Sequence, residues 1–328
     1  MGFGNVGKAF VALLERKRQE LASRYDLACL VTGVASRRMG WLTAPEGFHP
    51  EKLLAGDFSQ AEQVLDIHAW LKTAKPDVLF ETSALNAQTG RPAIDHIRAA
   101  LESGAHAITA NKGPVVHAYH ELSTLAAATG RRFLFESAVM DGVPIFSLFR
   151  EAMPAVEIRG FRGVLNSTTN VVLEGMEAGM SFEEAIRKAQ ELGVAESDPS
   201  ADIEGVDAAV KVVALANVLM GADLKLADVQ REGIRGISSQ QLRQTRAEGE
   251  AWKLVCRAQR ELDGRVSASA RPERLRLEDP LAQIHGTSSI LSFETDILPQ
   301  LIITEQDPTP ETTAYGLLAD FLIAIRSS

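Results

Sequence analysis

Apolar and polar positions follow two different periods in the first part of the chain. Residues 8–25 have apolar positions at helical spacing on one face and charges on the other. The apolar positions are Phe10, Leu13, Leu14 and Leu21. The next run, DLACLVTGV, is short, apolar and rich in β-branched residues, which is typical of a buried strand. Further strand-like runs, DVLFETSAL, HAITANKGP and RRFLFESAVM, are separated by helical stretches. This alternation predicts a doubly wound parallel sheet of the α/β class.

The alternation fades near Met140, and the second half has a different pattern. MSFEEAIRKAQELG predicts a helix with Ser181 as N-cap, Glu184 completing a capping box, and Gly193 at its C-terminal end. VDAAVKVVALANVLMG predicts a longer helix that is apolar on most sides beyond Lys211 and therefore buried. Strand-like FRGVLNSTTN and SSILSFETDILPQLIITEQ complete a second domain of the α+β type, and TTAYGLLADFLIAI predicts a final amphipathic helix after it.

Composition limits the class of protein. The 328 residues suffice for two domains, and 45% are hydrophobic and 23% charged, as in ordinary globular proteins. A formal net charge of -9 argues against a general nucleic-acid or membrane-surface binder, but it leaves room for a local basic pocket. Cys29 and Cys256 are too few for a disulfide framework. We find no signal peptide or membrane-spanning run and expect a cytoplasmic protein.

The chain opens with a glycine-rich turn, MGFGNVGKAF. Gly2, Gly4 and Gly7 have the spacing of a dinucleotide-binding fingerprint, and Asn5 and Val6 complete the turn. Phosphate would lie on the helix N-terminus, where free N–H groups and the helix dipole favour negative charge. Such a turn normally follows a strand, and only Met1 precedes it here. We predict a Rossmann-like cofactor site whose first strand is apparently missing. The alternative is a merely glycine-rich helix start, and the βαβ pattern that follows favours the cofactor site.

Two arginines bear on the choice of cofactor. An NAD site usually has an acidic residue at the end of its second strand for the ribose hydroxyls. This chain has Ser36, Arg37 and Arg38 there, which would suit the 2′-phosphate of NADP. We expect NADP to be modestly favoured over NAD, while a solvated arginine loop is the other interpretation.

Lysines and carboxylates suggest a polar substrate site. Lys112 follows a predicted strand, at the end where open α/β sheets bind ligands. Carboxylates are densest in AESDPSADIEGVDAAVK, where Asp207 and Lys211 share a helix face and Asp202 lies just before that helix. Carboxylates could hold an ammonium group, and a partly buried lysine could transfer a proton near neutral pH. The alternative is a solvated acidic loop with a routine helix ion pair.

At this point the chain resembles the homoserine dehydrogenases over nearly all its length. The segments that carry the resemblance are GFGNVG, ANKGP, FESAVMDGVPIF, GVLNSTTNVVLEGM, AQELGVAESDPSADIEGVDAAVK and DPLAQIHGTSSILSFETD. The resemblance implies reversible NAD(P)-dependent reduction of L-aspartate 4-semialdehyde to L-homoserine, a small-molecule substrate and a homodimer formed through the second domain. We assign residues 1–138 with helix 312–328 to the dinucleotide-binding domain. Residues 139–311 form the substrate-binding and dimerisation domain.

The resemblance also implies roles for single residues. Lys211 would donate the proton, with Lys112 and Asp202 as further catalytic residues, and Glu196 and Asp207 would bind substrate. Thr82, Ser83 and Lys112 would line the cofactor and substrate cleft, with Gly193 near the nicotinamide. A structural sodium-type cation would map onto Glu136, Val139, Asp141 and Val143. The chain looks most like the short form of the family, so we expect no threonine feedback through a dedicated domain.

Three departures from the family pattern keep other functions open. The first strand is missing, Ser167 stands where glycine is common, and residues 305–309 contain Glu305, Asp307 and a proline where the family has a glycine-rich cofactor loop. A related oxidoreductase acting on another small amino or hydroxy acid is one alternative. A cofactor-binding homologue with impaired turnover is another.

Overall fold

The computed structural model describes residues 1–326. Two compact units are present: one is Met1–Ile145 together with the described residues from Thr309 onward, and the other is Phe146–Pro308. The last two residues of the predicted helix 312–328 lie outside the described residues.

The first unit contains two small sheets and five helices before Ile145. Its strands are β1 (Gly33–Ser36), β2 (Gly40–Thr43), β3 (Glu62–Val64), β4 (Val78–Glu81), β5 (His106–Thr109) and β6 (Phe133–Leu134). Its helices are α1 (Asn5–Tyr25), α2 (Pro50–Ala55), α3 (Ile67–Ala74), α4 (Ala93–Glu102) and α5 (Lys112–Ala128). Strands β4, β5 and β6 pair in parallel, as the alternation predicts, whereas β1, β2 and β3 form an antiparallel sheet. A short 3₁₀ turn, Glu136–Ala138, follows β6.

The second unit is built on one six-stranded sheet in the order β12-β11-β7-β9-β10-β8. The strands are β7 (Ile158–Val164), β8 (Gln230–Arg231), β9 (Glu250–Arg260), β10 (Val266–Arg276), β11 (Ser289–Thr295) and β12 (Leu301–Glu305). The helices are α6 (Ser167–Glu177), α7 (Phe182–Glu191), α8 (Ser200–Ile203), α9 (Val206–Leu219) and α10 (Ser239–Ala247). The pairings are antiparallel except that of β8 with β10.

Local sequence signals account for several of these elements. The predicted capping box of α7 is present, because Ser181 and Glu184 exchange hydrogen bonds. The helix predicted to be buried is α9, in which all residues from Ala208 to Asn217 except Lys211 are buried. The final helix α11 (Pro310–Arg326) packs with α1 in one apolar cluster, where Phe10 and Leu13 meet Leu317. Among the described residues, the helices lack the length and apolar character needed to cross a membrane.

The run DLACLVTGV is not the strand that its composition predicts. Strand structure begins only at Gly33, and residues 27–32 are irregular. The backbone that joins the edges of β1 and β4 is Met1–Gly2. Gly2 N donates to Ala35 O at 2.8 Å, Met1 N donates to Phe80 O at 2.7 Å, and Thr82 N donates to Met1 O at 2.9 Å. Thr32 O and Val31 O accept hydrogen bonds from Ala44 N and Phe48 N, at 2.8 and 2.9 Å, but the ladder of β1 with β2 ends at Gly33 and does not continue through residues 27–32.

A cavity of about 280 Å³ continues the line of Met1–Gly2 between these two edges. Its lining includes Leu14, Leu30, Val78 and Phe321, and Leu30 is 66% exposed. Burial lowers the pKa of the Met1 amine, against the opposing attraction of Glu81. The gap is therefore apolar and ends at a buried amino group.

We expect an apolar strand fused before Met1 to protect this part of the sheet. A fusion of roughly six residues would pair with both edges, and each buried apolar side chain would contribute about 1.5–3 kcal/mol. Hydrogen exchange at residues 27–34 and 77–82 should slow, and cofactor binding should tighten. A Gly/Ser extension of equal length, which stays flexible, is the control. Slow exchange at both segments in the unextended protein would show that the gap does not destabilise the unit.

Candidate active site

Helix α9 places a carboxylate and an amine one turn apart. The Lys211 Nζ lies 3.5 Å from Asp207 Oδ2, and the two side chains are 14% and 18% exposed. Lys211 Nζ also donates a hydrogen bond to the carbonyl oxygen of Leu165, just after β7. The two side chains thus share a helix face and the lysine is partly buried, as the sequence predicts. The ammonium group is held between the start of α9 and the end of β7.

Asn166 joins the two aspartates, and no role is assigned to it from the sequence alone. Its Nδ2 donates to Asp202 Oδ1 at 2.6 Å and to Asp207 Oδ2 at 3.2 Å. Its Oδ1 accepts a hydrogen bond from Thr169 N and so caps α6. The signal in the sequence was an asparagine between an apolar strand and a run of helix residues, which marks an N-cap but not its second role.

The environment of Asp202 disfavours its negative charge. Burial raises the pKa of Asp202, and the neighbouring Asp207 raises it further. Hydrogen bonds from Asn166 and Thr168 and the charge of Lys211 act in the opposite direction. Two carboxylates close together with one lysine form a site where an additional cation, such as the ammonium of an amino acid, would be stabilised.

Gly193 and Glu196 lie on the exposed loop between α7 and α8. Gly193 has a φ of 70°, in the left-handed region that glycine adopts without strain. Thr168 Oγ1 donates to Val194 O at 3.3 Å, which ties this loop to the start of α6. Gln190 Nε2 donates to the backbone carbonyl of Glu196 at 3.1 Å. The substrate-binding role of the Glu196 carboxylate stays a prediction.

The glycine turn of the first unit packs tightly against the end of β4. Gly2 has a φ of 77°, and a Cβ there would lie 2.4 Å from Ser83 N. A Cβ at Gly7 would lie 3.1 Å from Gly2 O, whereas a Cβ at Gly4 would meet nothing within 4 Å. Helix α1 starts at Asn5 without a side-chain cap. The first N–H groups of α1 are therefore not capped by a side chain, and the space beside Gly4 is open. A helix N-terminus with this arrangement can accept a phosphate.

Residues from β4 and β5 converge on this turn. Thr82 Oγ1 donates to the carbonyl oxygens of Met1 and Gly2, at 2.9 and 2.8 Å. Asn111 Nδ2 donates to Ser83 O at 3.1 Å, and Asn111 caps α5, whose first residue is the half-buried Lys112. The structure thus brings the glycine turn, Thr82, Ser83 and Lys112 to the carboxyl ends of parallel strands, as the predicted cofactor site requires.

Arg37 and Arg38 are exposed in the turn between β1 and β2. Gly2 N donates to Ala35 O, and Ala35 is two residues before Arg37 in the chain. The glycine turn is therefore attached to β1 close to both arginines. The Ser36 hydroxyl accepts from Met39 N at 3.2 Å, which shapes the turn. Both guanidinium groups thus follow the strand that borders the predicted phosphate site.

The residues assigned to a sodium-type cation have mixed surroundings. Glu136 is buried and its Oε1 accepts from Ile145 N at 2.5 Å, while the same N–H also donates to Val143 O at 2.9 Å. The Asp141 carboxylate accepts a hydrogen bond from the Thr313 hydroxyl. Glu136 and Val143, two of the four predicted ligands, therefore both accept from the N–H group of Ile145. The carboxylate of the third is turned to α11, so the cation site, including Val139, stays a prediction.

Residues 305–309, which stand in place of the family's glycine-rich loop, begin at the end of β12 and continue into a turn. Glu305 is 8% exposed and ends β12 opposite Ser289. Asp307 has a φ of 46°, the left-handed conformation usually taken by glycine, and its N donates to Ser288 Oγ at 3.3 Å. Ser167, the other departure, donates its hydroxyl to Thr287 O at 2.8 Å. The loop thus keeps a glycine-like backbone without the glycine.

Comparisons with known proteins agree with this arrangement. A family model described as homoserine dehydrogenase matches residues 144–322, and one described as the NAD binding domain of homoserine dehydrogenase matches residues 2–136. The NAD(+)-dependent homoserine dehydrogenase of Pseudomonas canavaninivorans is 34% identical, over 98% of this chain and 94% of its own. The homoserine dehydrogenase of Sulfurisphaera tokodaii is also 34% identical, over 99% and 97%.

Solved structures of homoserine dehydrogenases share the fold. The enzyme of Thiobacillus denitrificans superposes with a TM-score of 0.84 at 26% identity, covering 99% of this chain and 72% of that one. A hyperthermophilic archaeal mutant in complex with NADPH has a TM-score of 0.83 at 26% identity, covering 100% and 96%. The predicted fold class is confirmed. With family models matching both units and relatives aligned over nearly the whole length, the chain belongs to the homoserine dehydrogenase family.

Proposed function

We propose that this protein catalyses the reversible NAD(P)-dependent reduction of L-aspartate 4-semialdehyde to L-homoserine, a step in threonine, methionine and isoleucine biosynthesis. The observation that carries the proposal is the cluster of Asn166, Asp202, Asp207 and Lys211, in a chain of this family. It combines a partly buried ammonium group with carboxylates that could hold an amino-acid substrate.

Lys211 acts on the carbonyl oxygen of the substrate. When bound, the nicotinamide supplies a hydride to the aldehyde carbon. Negative charge then develops on the aldehyde oxygen, and the Lys211 ammonium stabilises it and donates the proton that completes the alcohol. In the reverse direction the neutral amine accepts the hydroxyl proton of homoserine. The hydrogen bond to Leu165 O holds the nitrogen in place for both steps, and the ion pair with Asp207 adds to this whenever the amine is protonated.

The carboxylates bind the substrate's ammonium group. Asp207 and Asp202 are close enough to share the Asn166 amide, so their oxygens face one small region. A substrate ammonium there would relieve the repulsion between them. Glu196, on the loop tied to α6 through Val194, is proposed as a further substrate ligand, with Gly193 beside the nicotinamide.

The residues of the first unit fit a dinucleotide. The uncapped N-terminus of α1 and the open Gly4 offer backbone N–H groups to a pyrophosphate, with Asn5, Val6 and Gly7 in the first turn. Thr82, Ser83 and Lys112 would contact the cofactor and the reacting groups at the carboxyl ends of β4 and β5. The relatives divide: one is named NAD(+)-dependent and one structure holds NADPH.

Arg37 and Arg38 are expected to give NADP the modest advantage. Their replacement by serine, R37S with R38S, should lower kcat/KM with NADPH by roughly tenfold or more, because each guanidinium–phosphate hydrogen bond contributes about 1.5–3 kcal/mol. Efficiency with NADH should change little. Arg18, exposed on α1, provides the matched control as Arg18→Ser. Equal or better kcat/KM with NADH in the unaltered protein would overturn the preference.

Three further assignments belong to the same proposal. We propose a homodimer formed through residues 139–311, a sodium-type cation at Glu136, Val139, Asp141 and Val143, and action in the cytoplasm. Sedimentation in the presence and absence of sodium would test the first two together.

A spectrophotometric assay tests the proposal directly. Purified protein with homoserine and NADP or NAD should show a rise in absorbance at 340 nm, the band of the reduced nicotinamide, and the initial rate of this rise should saturate with homoserine concentration. Other small amino and hydroxy acids, assayed in parallel, should give much lower kcat/KM. Cofactor binding without turnover would favour the alternative of a homologue with impaired turnover. The carboxylates of Glu305 and Asp307, in place of a glycine-rich loop, are the reason to consider that alternative.

A further inference from the structure

Asn166 is the residue through which the separate parts of the substrate site meet. Asp202 comes from α8 and Asp207 from α9, and the end of β7 provides Leu165, whose carbonyl accepts from Lys211. The Asn166 side chain touches both aspartates, and the residue itself is 5% exposed. A short hydrogen bond of 2.6 Å to Asp202 and a longer one of 3.2 Å to Asp207 account for both amide hydrogens.

We propose that Asn166 is a positioning residue for the reaction: its amide holds the carboxylates of Asp202 and Asp207 together and turned toward the substrate's ammonium group, beyond its role as a helix cap. The inference rests on the proposed function and names a residue for which that function alone gives no role. It follows from the geometry of the amide, because Oδ1 accepts from Thr169 N and, among the residues that the structure describes, Nδ2 donates to the two carboxylates.

The amide is suited to this task because it is neutral. Two carboxylates in a partly buried site repel each other, and a cation that neutralised them permanently would compete with the substrate. An amide donates hydrogen bonds that stabilise both anions and leaves their charge available. Lys211 is the cation on α9, and the thiol of Cys256 faces the same helix from β9. Burial raises the pKa of Cys256 to about 12, so the thiol stays neutral and adds no charge.

Two substitutions separate the positioning role from the capping role. Serine and aspartate both provide a good N-cap oxygen. Asn166→Ser therefore keeps the cap and removes the amide, and Asn166→Asp keeps the shape and adds a third carboxylate. Asn217 is the matched control, because it is equally buried in the same unit, bonds only Leu224 through its described side-chain hydrogen bonds, and lies away from both aspartates.

In both Asn166 variants we expect KM for homoserine to rise by roughly tenfold or more, with a smaller change in kcat. The acidic limb of the kcat/KM profile should move to higher pH, because Asp202 loses a hydrogen-bond donor that favours its ionised form. Asn217→Ser should lower the melting temperature at least as much and leave KM and the pH profile unchanged. An unchanged KM and an unchanged acidic limb in both Asn166 variants would overturn the inference and leave Asn166 as a helix cap.

A measurement independent of turnover keeps this test separate from that of the proposed function. Carbon-detected NMR titration of Asp202 should show a higher pKa in Asn166→Ser than in the unaltered protein and no change in Asn217→Ser. An unaltered protein without homoserine oxidation would contradict the proposed function. The titration would then decide about Asn166: an unshifted Asp202 would contradict the inference as well.

Discussion

Replacing Lys211 with alanine should reduce turnover by at least about a hundredfold, because general acid–base catalysis typically contributes 10²–10⁴ in rate. The carbonyl oxygen would then develop negative charge without a proton donor. Binding of the nicotinamide cofactor should persist, since the glycine turn belongs to the first unit and Lys211 to the second. The assay is initial velocity in both directions, with cofactor binding measured by fluorescence and folding by circular dichroism.

The control for this substitution is Lys188→Ala on α7. Lys188 is exposed, so its loss removes one positive charge from the same unit without altering the site. Lys211→Met adds a check on packing, because it retains the apolar stem and removes only the amine. A Lys211→Ala protein that keeps more than about a tenth of normal turnover would exclude Lys211 as the proton donor.

Alanine in place of Gly2 is expected to weaken cofactor binding by at least roughly tenfold, or about 1.4 kcal/mol. The new Cβ would lie 2.4 Å from both Ser83 N and Thr82 C, and these are backbone atoms that cannot rotate away. The turn would have to separate from the end of β4, breaking the bonds that Thr82 Oγ1 makes to Met1 and Gly2. Titration of NADPH and NADH by fluorescence measures the effect.

Gly56→Ala provides a matched comparison. Gly56 ends α2 with a φ of 78°, almost the same as the 77° of Gly2, but a Cβ there would meet nothing within 4 Å. Both substitutions therefore carry the backbone strain of a left-handed alanine, about 1–2 kcal/mol. The difference between them isolates the steric contact with Thr82 and Ser83. If the two variants bound cofactor equally well, the packing of the turn against β4 would have no part in forming the site.

The predicted fold class rested on patterns that are local in the chain. Helical spacing in residues 8–25, the capping box at Ser181 and Glu184, and the alternation of strands and helices all depend on neighbours a few positions apart. Such patterns survive in the folded protein because they match the periods of the helix and the strand. The strand predicted in DLACLVTGV was wrong in its first part for the complementary reason. Apolar composition suits a strand, but a strand also needs a continuous ladder of backbone hydrogen bonds, and the ladder of β1 with β2 ends at Gly33.

In the candidate site as well, features within one element could be predicted from the sequence, whereas contacts between elements could not. The sequence by itself determined that Asp207 and Lys211 share a helix face, and that Gly2, Gly4 and Gly7 can form a turn ahead of a helix, because both statements follow from the geometry of one element. Only the tertiary structure decided that Asn166 bonds Asp202 and Asp207, across 36 and 41 positions of sequence. It likewise decided that Thr82 closes on Met1 and Gly2, 81 and 80 positions away. Contacts of this kind depend on how separate elements pack, which is a property of the whole core and leaves no periodic trace in the chain.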